Sequence, residues 1–125
     1  MWKYVKDLQD KNSVETFLQE HNIDLSDELV KQLKKNNGGR PSPNIIILKN
    51  GQEKVFQSLI SYNEYDFVNI YDIYPLFEDS SLYPIGIDPA GNFICVEKNK
   101  SKKFIWLNHE TGKQEEIINL NELDC

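Results

Sequence analysis

The sequence is poor in the residue types that carry chemistry. It has two cysteines, Cys95 inside an apolar run and Cys125 at the last position. Two thiols cannot build a disulfide framework, and without a Cys-x-x-Cys pair they lack the spacing of a zinc site. His21 and His109 are the only histidines. They stand far apart in the chain, so no metal and no cofactor is expected. No run of about 18 apolar residues occurs, which leaves no candidate for a membrane-spanning helix. The first residues lack the apolar stretch of a secretory signal, and together with reduced thiols this predicts a cytoplasmic protein. The nucleophile elbow Gly-x-Ser-x-Gly is missing. Gly86 and Gly91 have the outer spacing of a phosphate loop, but Asn92 occupies the place where the lysine would have to stand.

The most pointed absence is of positive charge in the middle of the chain. Residues 55–97 contain no Lys and no Arg, but they hold Glu64, Asp66, Asp72, Glu78, Asp79, Asp88 and Glu97. Seven of the 20 acidic residues and none of the 14 basic ones lie there, so the formal charge of −6 is concentrated in that third. Such a surface repels nucleic acid and anionic lipid and attracts a basic partner.

The 125 residues suit one domain, residues 1–125, with a core of its own. Trp2, Val5 and Leu8, then Val14, Phe17 and Leu18, have helical spacing, which predicts helix over 2–21 with a break near Ser13 as N-cap. Ser26 caps a second predicted helix, 26–36. Asp27 and Glu28 lie in its first turn, Lys31, Lys34 and Lys35 follow toward its end, and Gly38 stops it. A predicted strand at 44–49 is rich in isoleucine, and Asn50-Gly51 reads as a hairpin turn with positive φ at both residues. Its partner is predicted at 53–60. Phe67, Ile70, Tyr71 and Tyr74 fall on one face of a predicted helix, 64–74, capped by Asn63 and ended by Pro75. Strands follow at 82–88, 92–97, 103–108 and 114–118. Residues 98–102 read as a charged turn and 119–125 as the start of a terminal helix. The expected fold is α+β: a mostly antiparallel sheet of about six strands, covered by helices from the N-terminal third and one central helix.

Two stretches carry more than periodicity. Residues 82–96 read Leu-Tyr-Pro-Ile-Gly-Ile-Asp-Pro-Ala-Gly-Asn-Phe-Ile-Cys-Val, two apolar runs about a tight corner. Asp88 opens that corner, where its side chain can accept backbone N–H groups two residues on. Upstream, Asn37-Gly38-Gly39-Arg40-Pro41 follows the second helix. In this order the two stretches resemble the hallmarks of the SUKH superfamily, at Leu82, Pro84, Ile85, Gly86, Asp88, Gly91, Asn92, Ile94 and Cys95 and at residues 37–41. Trp106 followed by His109-Glu110 adds weaker support. The resemblance implies a single α+β domain that works as a non-enzymatic scaffold. It also implies an immunity protein that binds and neutralises a cognate toxin domain, often a nuclease. Eukaryotic members imply the alternative of a regulatory adaptor with no toxin partner.

The residues proposed for partner binding come from charge and aromatic content in residues 62–79. They are Glu64, Tyr65, Asp66, Tyr71, Asp72, Glu78 and Asp79. Carboxylates beside exposed tyrosines suit a basic protein partner, since charge steers the encounter and the rings anchor it. No catalytic residue is expected: His109 reads as a turn residue bonded to its surroundings, and Cys95 as a small buried hydrophobe.

Overall fold

The computed structural model describes residues 2–98 and 103–120. The fold is α+β. In chain order it has β1 (Trp2–Lys3), α1 (Ser13–Glu20), α2 (Asp27–Lys35), β2 (Arg40–Pro41), β3 (Ile45–Ile47), β4 (Glu53–Val55) and β5 (Ser58–Leu59). Then come α3 (Ile70–Ile73), a 3₁₀ turn (Tyr74–Phe77), β6 (Leu82–Ile87), β7 (Phe93–Glu97), β8 (Phe104–Leu107) and β9 (Gln114–Ile117). The main sheet is antiparallel, in the order β5-β6-β7-β8-β9. The β3–β4 hairpin leans on its far edge through the bridge Leu48↔Ile117 and the bonds Lys49 N–H to the Glu116 carbonyl and Ile118 N–H to the Ile47 carbonyl. Asn119 clamps the join, accepting from Ile47 N–H at 2.8 Å and donating to the Ile45 carbonyl at 2.9 Å.

The predicted strand 53–60 is one extended stretch that serves two sheets. Phe56 N–H still donates to the Asn44 carbonyl of the hairpin, whereas Gln57 N–H already donates to the Ile87 carbonyl of β6. Because β4 runs on into β5, hydrogen-bonded neighbours make a circuit around the core. Phe56, Leu59, Ile60, Ile85, Ile94, Val96 and Tyr83 fill it from the strands, and Val14, Phe17, Leu18, Leu29 and Leu33 cover it from the helices.

Three expectations are corrected. The predicted helix 2–21 is helical only over α1, with Asn12 rather than Ser13 at the N-cap. Residues 2–3 instead pair with β2, as Trp2↔Pro41 and Lys3↔Arg40. Lys6 N–H donates to the Asn37 carbonyl at 2.8 Å, so this backbone finds its partners in a distant segment rather than in its own turns. The predicted helix 64–74 shrinks to α3, capped by Asn69 rather than Asn63, and Pro75 lies inside the 3₁₀ turn that follows. Positive φ at the hairpin turn is confined to Gly51; Asn50 keeps negative φ, and its side chain accepts from Gln52 N–H. The second helix keeps its predicted logic: Ser26 Oγ accepts from Leu29 N–H at 3.2 Å, and Gly38 follows with φ 68°. The turn predicted at 98–102 and the helix at 119–125 lie almost wholly outside the described residues, as does Cys125.

Candidate functional site: an acidic loop on a polar frame

Residues 61–70 form a closed loop. Ser61 N–H donates to the Val68 carbonyl and Ile70 N–H donates to the Ser61 carbonyl, so the two ends are stitched together at the base. Compact loops with tied ends are frequent carriers of function. The interior is polar. Asp66 Oδ2 accepts from Ser61 Oγ at 2.5 Å and from Asn63 Nδ2 at 3.2 Å. Asn63 holds the N-terminal segment, donating to the Asp7 carbonyl and accepting from Gln9 N–H. Asn69 and Asp72 cap α3 together: Asn69 Oδ1 accepts from Asp72 N–H, and Asn69 Nδ2 donates to Asp72 Oδ2, each at 2.9 Å.

The frame behind the loop is Asn37, 1 % exposed. Its Nδ2 donates to the Lys6 carbonyl at 3.0 Å and to Ser61 Oγ at 3.1 Å, and its Oδ1 accepts from Tyr62 N–H at 2.8 Å. One buried amide therefore ties the N-terminal segment, the turn after α2 and the start of the loop. Gly39 beside it has no room for a side chain, since a Cβ would lie 2.9 Å from the Asn36 carbonyl oxygen. From the other side Phe17 of α1 stacks edge-on against Tyr62, Tyr71 and Tyr74 at ring centroid distances of 5.9, 5.5 and 5.4 Å.

On this frame the proposed binding residues separate. Glu64 and Tyr65 sit exposed on the loop, with Tyr65 at 67 %. Asp72, Glu78 and Asp79 are also exposed. Asp66 spends its carboxylate inside the loop. Tyr71 is half-buried and donates its hydroxyl to the Tyr62 carbonyl at 3.1 Å. Phe67, expected on one helical face with the buried Ile70 and Tyr74, is 99 % exposed. The reason is the loop closure, which starts the helix only at Ile70 and leaves Phe67 on the tip. Near Glu78 the charge is partly offset, because Lys98 Nζ donates to the Phe77 carbonyl at 2.8 Å and to the Glu78 carbonyl at 3.3 Å.

Sequence reasoning missed two contributors. Burial raises the Tyr71 hydroxyl above the ordinary tyrosine pKa, and the carboxylates of Glu64, Asp10 and Glu20 raise it further. Asp10 and Glu20 come from either end of the α1 region, far from residues 62–79 in sequence. Their charge reaches the Tyr71 hydroxyl because Phe17 docks α1 against the Tyr71 ring. The Phe17–Tyr71 contact is tertiary, and no local signal carried it.

The strongest motif residues are spent elsewhere. Asp88, 4 % exposed, accepts from Ala90 N–H at 2.9 Å, Asn92 N–H at 2.8 Å, Asn92 Nδ2 at 3.0 Å and Trp106 Nε1 at 3.0 Å. Burial alone would raise its pKa; the bonds from Trp106, Asn92 and Ala90 outweigh it and hold the carboxyl below the ordinary aspartate value. Asn92 Oδ1 then meets His109, through its N–H at 3.1 Å and its Nδ1 at 2.8 Å. Since Asn92 Nδ2 must face the carboxylate, its oxygen faces the imidazole, and Nδ1 carries the proton. Burial also raises the Cys95 thiol, which makes it a poor nucleophile. Among the described residues no three His, Cys, Asp or Glu side chains converge to hold a metal ion, and no helix is long and apolar enough to cross a membrane. A groove of about 860 Å³ lies between the N-terminal segment and the helices, with Lys11, Lys31 and Lys35 on its walls and the Lys34–Glu15 ion pair of 2.6 Å within it.

Comparison with known proteins adds one finding. Residues 11–122 match the family described as SMI1-KNR4 cell-wall, SUKH_6. No curated protein matches, and no solved structure matches.

Proposed function

The chain belongs to the SUKH superfamily, in its SMI1-KNR4 family, and from that membership we propose that it is an immunity protein acting by protein–protein contact. Its partner is a cognate toxin domain with a basic surface, of which a nuclease cleft is the best-suited kind. SUKH domains are generally non-enzymatic immunity or regulatory proteins. A docking role needs only a rigid scaffold with a surface of one polarity, and the cytoplasm is the compartment where such a blocker would act.

The observation that carries this reading is the exposed tip of the loop, where Glu64 and Tyr65 project together, beside α1, which Phe17 docks against Tyr71 and which carries the exposed Glu20. Clustered carboxylates raise the encounter rate with a cationic surface, and tyrosines anchor the complex at little entropic cost. Asp72, Glu78 and Asp79 extend the negative field along the following residues. Nucleic acid is disfavoured as the ligand on the same grounds, because its phosphates would meet those carboxylates.

The test is genetic and then kinetic. The reading expects the gene to lie beside one for a large secreted protein with a variable C-terminal domain. Expressed alone, that domain should arrest growth, and co-expression of this chain should restore it through a complex that survives gel filtration. Growth arrest unrelieved by the chain would sink the proposal.

A further inference from the structure

The loop 61–70 has a second side with the opposite polarity. Phe67 stands on the rim of a groove of about 300 Å³ that is floored by Gly38, Leu59 and Val68 and walled by Tyr4, Lys6 and Arg40. A phenylalanine wholly in water is unusual, and next to an open groove it reads as an anchor awaiting cover. Across the groove Tyr4 is 73 % exposed and holds φ at 59°, in the left-handed region that a bulky side chain rarely enters. Arg40, half-buried, lies 5.9 Å from the Tyr4 ring centroid, and its Nε donates to the Gln57 carbonyl at 3.1 Å. Among the described residues neither Arg40 nor Lys6 has a carboxylate partner, and no acidic residue lines the groove. In a chain of formal charge −6 this is a cationic island between two exposed rings.

We propose that this groove binds an acidic, extended segment of the partner protein, with an apolar side chain held between Tyr4 and Phe67 and carboxylates meeting Lys6 and Arg40. The inference rests on the reading of the chain as a docking module and adds the chemistry of a second contact. Charge complementarity selects the occupant, since two unpaired cations need carboxylates and the rings need an apolar group.

The test uses the full ¹⁵N-labelled chain and three probes: an acetylated and amidated hexapeptide of sequence Glu-Leu-Glu-Phe-Glu-Gly, its isomer with Lys for every Glu, and inorganic phosphate at matched ionic strength. The glutamate peptide is expected to shift the amides of Gly38, Leu59 and Val68. Phe67→Ser should weaken that binding by about tenfold, as loss of an aromatic anchor does, without moving the melting temperature. Arg40→Glu should abolish it, and Lys6→Glu repeats the charge change in case the first variant unfolds. The proposal is overturned by equal shifts with the lysine peptide, by shifts centred on Tyr71, by phosphate reproducing the whole pattern, or by no shift with the glutamate peptide. None of these results touches the toxin-binding proposal, whose tests read growth rescue and the Tyr71 face.

Discussion

Two short polar loops, residues 61–70 and 88–92, are built on the same device and do opposite things with it. Each folds around an aspartate that accepts hydrogen bonds from its own loop, Asp66 from Ser61 and Asn63, Asp88 from Ala90 and Asn92. At 88–92 the account then closes inward. Asn92 and Trp106 complete the carboxylate, His109 completes Asn92, and only Pro89, Ala90 and Gly91 are left at the surface. At 61–70 the inner groups are equally satisfied, yet Glu64, Tyr65 and Phe67 project from the tip. A side chain whose donors and acceptors are all engaged has nothing left to offer a ligand. The hallmark residues at 88–92 are therefore spent on the scaffold, and the proposed recognition surface is a loop that carries no motif.

The comparison breaks first at Asp88. Asp88→Ala would strand the Trp106 indole and the Asn92 amide without a buried acceptor, and the expected loss is about 3–5 kcal/mol in urea melts. Binding of a partner, measured on whatever fraction stays folded, should be unchanged. A variant of normal stability would show that the knot is ornamental. Gly86→Ala follows, because its Cβ would come within 2.8 Å of the Phe56 ring at the β6 bulge. About 2 kcal/mol is expected, recovered in part by trimming Phe56 to leucine.

The same residue gives the pH test. The folded-state pKa of Asp88 lies below its ordinary value of 3.8, so its ionised form stabilises the fold fully above that value. The contribution is lost as pH falls from about 4 through the lowered pKa, where folded and unfolded chains become equally protonated. Asp88→Asn should therefore be less stable near pH 7 and show a flatter acid limb between about pH 4 and 2. An unchanged limb would place the acid sensitivity in other carboxylates.

How much of this was legible follows from the range of the interactions. The 82–96 hairpin could be read because Asp-Pro-Ala-Gly-Asn fixes a turn locally, and Gly91 takes the positive φ of 83° that the turn requires. The helix at 26–36 could be read from its cap and its charges. The loop at 61–70 was misread because Phe67, Ile70, Tyr71 and Tyr74 mimic a helical period, while the bonds that close it run between Ser61 and residues 68 and 70. A local signal did exist: Asn69 and Asp72, three apart, form a capping pair that starts the helix later than periodicity suggests. The N-terminal stretch offered no such signal, since its partners are Asn37, Arg40 and Pro41. Likewise the acidic residues of 62–79 are visible in the sequence, whereas the charges of Asp10 and Glu20 reach Tyr71 only through the docking of Phe17.

The gentlest perturbations should act on the other loop, and there the comparison can be sharpened. Glu20→Lys with Glu64→Lys changes two exposed side chains whose carboxylates raise the Tyr71 pKa. Stability should move by less than about 0.5 kcal/mol, as surface substitutions do. Association with a basic partner should slow by about tenfold at low salt, with the difference fading as ionic strength rises. Reversal of Glu78 and Asp79 should act in the same direction but more weakly, because Lys98 sits on the carbonyls of Phe77 and Glu78 and already offsets their field. Stopped-flow association rates for the two double variants decide the order. If the Glu78–Asp79 pair slows capture more than the Glu20–Glu64 pair, the partner meets the end of the 3₁₀ turn rather than the Tyr71 face, and the centre of the surface moves with it.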